Sequence, residues 1–223
     1  AVAEMVKYAK QLKMRDPMGE VSHVHQPNRS ARLMGADVAI NEWGHRGPAV
    51  PVKKPENEKR ILIFGSSITM GWGIPYESVF STQLENALNN NANQGNRVRV
   101  MNAGIGNYNT RFQYSLFKRQ WQSVKPDMVI LHYFINDAEP DPKGKQNILF
   151  KHFYMASLMY SKYKALTFQL GSHQGIEGYY SHLYEPSNPH WKATPKVISQ
   201  FKSDLDASGI PFMIMIVPDI HFL

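Results

Sequence analysis

Short runs of apolar residues recur along the chain and predict buried strands. The clearest run covers residues 61–64 and stops at Gly65. A short apolar run closed by Gly is typical of a buried parallel strand that meets a tight turn. Three further segments predict strands, namely residues 97–104, 128–134 and 211–218.

Helical periodicity fills the intervals between these runs. Phe80, Leu84 and Leu88, for example, fall on one face of a helix. The predicted helices cover residues 79–90, 107–123 and 194–208. Because strands and helices alternate, the pattern predicts an α/β fold with a parallel sheet and helices on both of its faces.

The pattern also divides the chain into two parts. Residues 1–59 are predicted to form an N-terminal extension that packs on the domain, and residues 60–223 the α/β domain itself. The domain carries an aromatic-rich insert at about residues 138–190. Within it, residues 147–170 predict a helix, which suits either a cap packed on the domain or a helix at a membrane surface.

Composition narrows the classes of protein that fit. The 223 residues suit one domain, and no run of eighteen apolar residues predicts a membrane span. The net charge is +7, and the basic residues are scattered along the chain. The one basic cluster, residues 53–60, indicates a solvated linker and no nucleic-acid partner. The absence of cysteine excludes disulfides and thiol catalysis.

Small residues at the start of the chain bear on localisation. Ala1, Val2 and Ala3 have the small-x-small pattern of a signal-peptidase site. We therefore expect an extracytoplasmic protein, periplasmic or secreted. Proximity to a membrane and membership of a larger protein assembly both remain open.

Hydroxyl residues follow the first strand of the predicted domain. Residues 65–69 read Gly-Ser-Ser-Ile-Thr, which resembles block I, Gly-Asp-Ser-x-Thr, of the SGNH or GDSL-type hydrolases. The resemblance makes Ser67 the nucleophile and puts Ser66 where the family has Asp. The alternative for the block taken alone is a serine-rich turn between a strand and a helix.

Two more segments resemble blocks of this family. Residues 102–106 read Asn-Ala-Gly-Ile-Gly, and Gly104 corresponds to the glycine of block II. Residues 134–137 read Phe-Ile-Asn-Asp, so Asn136 corresponds to the Asn of block III, Gly-x-Asn-Asp, while Phe134 replaces its Gly. Residues 41–47 resemble an Asn-x-x-Gly-x-Arg-Gly segment that precedes block I in many SGNH-like proteins.

The resemblance implies a fold and a function. The fold is a flavodoxin-like three-layer sandwich, and the activity is that of a serine esterase or acyl transferase on an acylated carbohydrate or lipid. Ser67, Gly104 and Asn136 would hold the oxyanion, with no cofactor and no metal. The alternative is a catalytically incomplete SGNH-fold subunit with a structural or binding role in a larger assembly.

The catalytic base is the part of the family pattern with the poorest match. The family takes it from an Asp-x-x-His block after a fifth strand. Asp219 and His221 follow the fourth strand here, with a spacing one residue short, and His221 is the candidate base. His23 and His25 alternate as metal ligands do, but two histidines make a poor metal site.

Overall fold

The computed structural model describes residues 2–90, 97–141 and 175–218. The predicted helix over residues 147–170, most of the aromatic-rich insert, and His221 lie outside these residues. In chain order the elements are α1 (Val2–Gln11), β1 (Lys13–Arg15), β2 (His23–His25), β3 (Arg29–Leu33), β4 (Ala36–Ile40), β5 (Glu58–Gly65), α2 (Ser67–Met70), α3 (Phe80–Asn90), β6 (Arg97–Gly104), α4 (Thr110–Val124), β7 (Met128–Tyr133), α5 (Gly175–Leu183), α6 (Pro189–Asp206) and β8 (Phe212–Ile216), with 3-10 turns at Tyr76–Ser78 and Ile135–Ala138.

The four strands predicted for the α/β domain form one parallel sheet, as expected. Its strand order is β6-β5-β7-β8. Strand β5 is central and nearly continuously apolar because both of its faces are covered. Within the described residues β8 pairs only with β7, and its Met213, Ile214 and Ile216 side chains are exposed.

Helices cover both faces of the sheet and complete the three-layer sandwich. On one face, Phe64 packs against Phe117 of α4 and Phe201 of α6. On the other, Ile63 and its neighbours pack against the apolar face of α3. The fold class predicted from the alternation of strands and helices is therefore confirmed.

Helix starts differ from the prediction where a side chain caps the helix. Helix α4 begins at Thr110 and not at residue 107, because the Asn109 side chain accepts a hydrogen bond from the Phe112 N–H at 2.9 Å. Helix α6 begins earlier than predicted, because Asn188 caps it and Pro189 occupies its first turn.

The N-terminal extension contains more strand than its polar sequence indicated. Strand β2 pairs antiparallel with β1. Strand β4 pairs antiparallel with β3. No helix in the described ranges is both long and apolar enough to cross a membrane.

One residue of the basic cluster is not solvated, and that part of the linker interpretation was wrong. The Arg60 side chain is fully buried and bonds Glu58 Oε1 at 2.7 Å. Its guanidinium also donates to the carbonyls of Val124 and Pro51. A buried guanidinium is tolerated because a carboxylate and two carbonyls satisfy it.

Candidate active site

Strand pairing brings the predicted site residues to one edge of the sheet. Gly65 pairs with Gly104 on one side and with His132 on the other. Ser67 follows Gly65 by two residues, and Asn136 follows His132 by four. Because parallel strands end at the same edge, Ser67, Gly104 and Asn136 all lie at its carboxyl end, where open α/β sheets bind ligands.

Ser67 is the first residue of α2. The preceding residue, Ser66, is extended with φ −98° and ψ −151°, so the chain changes direction sharply at this point. The Ser67 side chain is half-buried, and its Oγ has no hydrogen-bond partner among the described residues. The hydroxyl is therefore available to a substrate.

Two glycines allow α2 to lie this close to the sheet. A Cβ on Gly65 would lie 1.8 Å from Thr69 Oγ1, and a Cβ on Gly104 would lie 2.5 Å from the Met70 backbone nitrogen. Neither contact is sterically possible without a shift of α2. Both glycines are thus required for the placement of Ser67, and for Gly104 this is a packing role.

The backbone N–H of Gly104 already has an acceptor. It donates to Asn102 Oδ1 at 3.0 Å, while Asn102 Nδ2 donates to the Thr69 carbonyl at 2.7 Å. To donate to an oxyanion, as predicted from the sequence, this N–H would have to exchange partners. Its role at an oxyanion stays a prediction.

A backbone N–H that sequence reasoning missed lies three residues further on. Asn107 has a left-handed backbone, φ 67°, and is exposed. Its N–H has no acceptor within the described residues. The residue type could have indicated this left-handed backbone, because Asn is one of the few non-glycine residues that adopt the conformation readily.

Asn136 lies in the 3-10 turn that follows β7. Its Oδ1 is buried and unpartnered in the described part of the chain. The turn is tied to the loop after β6, because Thr110 Oγ1 donates to the Asp137 carbonyl at 3.1 Å and Asn109 Nδ2 donates to the Glu139 carbonyl at 3.0 Å.

The carboxyl group of Asp137, the residue after Asn136, is buried. Burial raises the pKa of Asp137 to about 7, and the Phe134 N–H, which donates to Asp137 Oδ2 at 3.2 Å, opposes this shift only in part. Asp137 Oδ1, Ser66 Oγ and both amide atoms of Gln113 are buried without a hydrogen bond in the described residues. The position where the family has Asp thus holds a neutral hydroxyl facing an acid with a raised pKa.

Asp137→Asn is expected to flatten the dependence of stability on pH. Because the folded-state pKa lies above the unfolded value of about 3.9, ionisation of Asp137 opposes folding. The wild type should therefore lose stability relative to the variant as pH rises from about 4 to 7, and the difference should level off above the folded pKa. Urea unfolding at several pH values measures this, with the exposed Asp37→Asn as control. Parallel profiles for wild type and Asp137→Asn would contradict it.

The segment at residues 41–47 contacts the site through one arginine. The Arg46 guanidinium donates to the carbonyls of Met70 and Gly71, each at 2.6 Å, and to that of Ile74. The Arg46 N–H donates to the Asn102 carbonyl at 2.9 Å. Arg46 therefore joins the end of α2 to β6.

No histidine of the described chain contacts Ser67. His132, the nearest in sheet register, bonds Thr69 Oγ1 through Nδ1 at 2.7 Å and stacks on Phe80. Burial lowers the pKa of His132 to about 4, so it is neutral at physiological pH. A base for Ser67 is not found among the residues that the structure describes.

Neither a metal site among the described residues nor the cavity described next contributes to the candidate active site. In the described ranges no three His, Asp or Glu residues cluster as metal ligands would. A cavity of about 350 Å³ lies at the opposite, amino-terminal end of the sheet. Two of its lysines, Lys54 and Lys59, share the single carboxylate of Asp127.

Fold and site together define a parallel α/β protein with a free serine hydroxyl at the carboxyl edge of its sheet. Neither a family model nor a curated protein matches the chain. Solved structures to which it is similar include AlinE4, an SGNH-hydrolase family esterase, and a GDSL-like lipase.

Sequence identity, coverage and TM-score describe the similarity to three solved structures. A mutant of the esterase AlinE4 shares 17% identity over 72% of this chain and 60% of that chain, with a TM-score of 0.41. TesA shares 19% identity over 69% and 77%, with a TM-score of 0.35. A GDSL-like lipase from Bacteroides thetaiotaomicron shares 14% identity over 70% and 68%, with a TM-score of 0.29. The chain thus spans less than two thirds of the first of them.

Proposed function

We propose that the protein is an SGNH-type serine esterase or acyl transferase with Ser67 as its nucleophile. The observation that carries this proposal is the Ser67 hydroxyl, half-buried and unpartnered among the described residues at the carboxyl end of the central strand. The neighbouring strand ends supply polar groups that suit the charge formed in acyl transfer, namely the Asn136 amide and the backbone of residues 104–107.

In the proposed reaction Ser67 Oγ attacks the ester carbonyl carbon, and the carbonyl oxygen becomes an oxyanion. Donors placed for this oxygen each lower the barrier by about 3 kcal/mol. The donors proposed are the Ser67 N–H, the Asn136 amide and one backbone N–H of the loop after β6. Gly104 was predicted for that loop position, and the free N–H of Asn107 suits it better, because the Gly104 N–H bonds Asn102.

In each half of the cycle the base moves one proton. In the first half it takes the Ser67 proton and passes it to the departing alcohol as the ester C–O bond breaks. In the second half it takes a proton from water, which attacks the acyl-serine and gives a carboxylic acid, or from a sugar hydroxyl, which gives a new ester, and it returns this proton to Ser67 Oγ as the acyl-serine C–O bond breaks. The base comes from outside the described residues, and His221 is one candidate.

The substrate class proposed is an acylated carbohydrate or lipid, met outside the cytoplasm. Aromatic rings beside the Asn136 turn support it. The Tyr184 hydroxyl donates to the Ile135 carbonyl at 2.9 Å, and its ring lies 4.8 Å from that of Trp191. Such rings offer an apolar face and a polar edge, which suits either a sugar ring or an acyl chain.

A second candidate function is that of a catalytically incomplete SGNH-fold subunit in a larger assembly. One observation favours it, namely that no histidine of the described residues bonds Ser67. Phe134, in place of the glycine of block III, adds bulk next to Asn136. Such a subunit would bind its partner or glycan with this edge of the sheet and would not turn over esters.

Covalent labelling tests the first function against the second. A fluorophosphonate probe should react with the full-length protein, and peptide mass spectrometry should place the adduct on Ser67, because only a serine activated by a base reacts rapidly. Denatured protein is the control for reactivity without the folded site. Absence of an adduct, or an adduct on another residue, would reject the enzyme in favour of the subunit.

A further inference from the structure

The N-terminal extension holds one peptide group next to the proposed active site. Lys13 Nζ donates to the Gly106 carbonyl at 3.0 Å, and His23 Nε2 bonds the same oxygen at 2.9 Å, so Nε2 carries the proton. The Gly106 N–H donates to the Tyr8 hydroxyl at 3.0 Å. Both polar groups of Gly106 are therefore bonded to residues of α1, β1 and β2.

These bonds determine the direction of the Asn107 N–H. The Gly106 carbonyl and the Asn107 N–H belong to the same planar trans peptide and point in opposite directions. Because Lys13 and His23 hold the carbonyl on the side of the extension, the N–H is directed away from the extension. This is the N–H that has no acceptor in the described residues.

The same loop lies between the two proposed side chains of the site. At its start, the Ile105 N–H donates to the Gly65 carbonyl at 3.1 Å, next to the turn that leads to Ser67. At its end, Asn109 bonds the Glu139 carbonyl in the segment that follows Asn136. Asn107 therefore lies in the loop that connects the Ser67 side of the site to the Asn136 side.

Burial of the Lys13 ammonium costs free energy of desolvation, which a purely structural contact would not require. Burial lowers the pKa of Lys13 to about 7, and it forms no ion pair with a described carboxylate. Among the described residues its ammonium contacts the Gly106 carbonyl and the face of the Tyr8 ring, 4.4 Å from the ring centroid. An apolar side chain would fill this space at lower cost in desolvation.

We propose that Tyr8, Lys13 and His23 are positioning residues that aim the Asn107 N–H at the oxyanion of the Ser67 reaction. This inference rests on the proposed function. It makes the N-terminal extension part of the active site by way of the peptide group that joins Gly106 and Asn107.

The test is a double variant, Lys13→Met with His23→Phe, in the full-length protein. Met has nearly the volume of Lys, and Phe, although larger than His, keeps the ring contact of His23 with Tyr108. We expect kcat/KM for p-nitrophenyl acetate to fall about 10-fold, a part of the 10²–10³-fold expected for complete loss of a donor. The KM should change little, since the donor acts on the transition state.

Phenylboronic acid separates this role from a general loss of structure. It forms a tetrahedral adduct on a nucleophilic serine, so its inhibition constant should rise about 10-fold with the fall in kcat/KM. Because the apparent inhibition constant also rises when the folded fraction falls, thermal unfolding must show that the double variant is folded at the assay temperature. Tyr8→Phe, which removes the hydroxyl that bonds both Gly106 and His25 Nε2, should move both quantities in the same direction as a milder change.

Lys7→Met is the matched control, because Lys7 lies in the same extension and bonds a different carbonyl, that of Arg32. It should leave both quantities at the wild-type value. Wild-type inhibition by phenylboronic acid in the double variant, together with turnover that depends on Ser67, would overturn this inference alone. Wild-type turnover that is independent of Ser67 would overturn the proposed function and this inference with it.

Discussion

Ser67→Ala should lower kcat for p-nitrophenyl acetate by at least about 10⁴-fold, the largest effect expected for any substitution in the chain. The substitution removes the atom that would form the acyl-enzyme. It should leave the fold intact, because Ser67 Oγ makes no hydrogen bond with the described residues and the side chain is only half-buried. Thermal unfolding of the variant should therefore match that of the wild type.

Ser199→Ala is the control for this experiment. Ser199 is an exposed serine on α6, and its hydroxyl bonds only the Pro195 carbonyl one turn earlier, at 2.9 Å. Its removal should leave kcat unchanged. If Ser67→Ala retained more than a few per cent of wild-type kcat, the hydrolysis would have another origin and Ser67 would not be the nucleophile.

The second large effect concerns stability, and Arg119→Met should lower the free energy of unfolding by about 3 kcal/mol at pH 7. Asp16 is buried and receives two hydrogen bonds of 2.7 Å from the Arg119 guanidinium. It also accepts the backbone N–H groups of Met18, Glu20 and Val21. Loss of Arg119 would leave a buried carboxylate without its countercharge.

The effect of Arg119→Met should depend on pH in a defined direction. The Arg119 guanidinium holds the pKa of Asp16 well below its ordinary range. A group with a depressed folded pKa stabilises the protein above its unfolded pKa, about 3.9, and this stabilisation is lost as pH falls through the folded pKa. The wild type should therefore lose its advantage over Arg119→Met as the pH falls below about 4.

Urea unfolding at pH 7 and pH 3 measures both parts of this prediction. Arg32→Met is the matched control, because Arg32 pairs with Asp37 on the surface, where the side chains are 64% and 82% exposed. It should change stability by less than about 1 kcal/mol. Equal losses for the two arginine variants at pH 7 would show that the buried pair does not anchor the extension.

The sequence by itself determined the sheet and the edge at which the site lies. Apolar runs that end in Gly specify buried strands, because burial on both faces of a parallel strand requires continuous apolar residues. Ser67 follows a run that ends in Gly65, and Asn136 follows the run that ends in Phe134. Their arrival at the same edge therefore follows from the parallel arrangement. These are local patterns, and they need no knowledge of which distant residues touch.

Only the tertiary structure decided which polar groups are free. Gly104 reads as an oxyanion donor in its motif, yet its N–H bonds Asn102 and its missing Cβ makes room for α2. Tyr8 lies in the short helix α1, yet its hydroxyl accepts a hydrogen bond from the Gly106 N–H, 98 residues away. Arg60 reads as part of a solvated linker and is fully buried. Hydrophobic periodicity records how deeply a position is buried, whereas the partner of a polar group depends on which distant segments the fold brings within 3 Å of it.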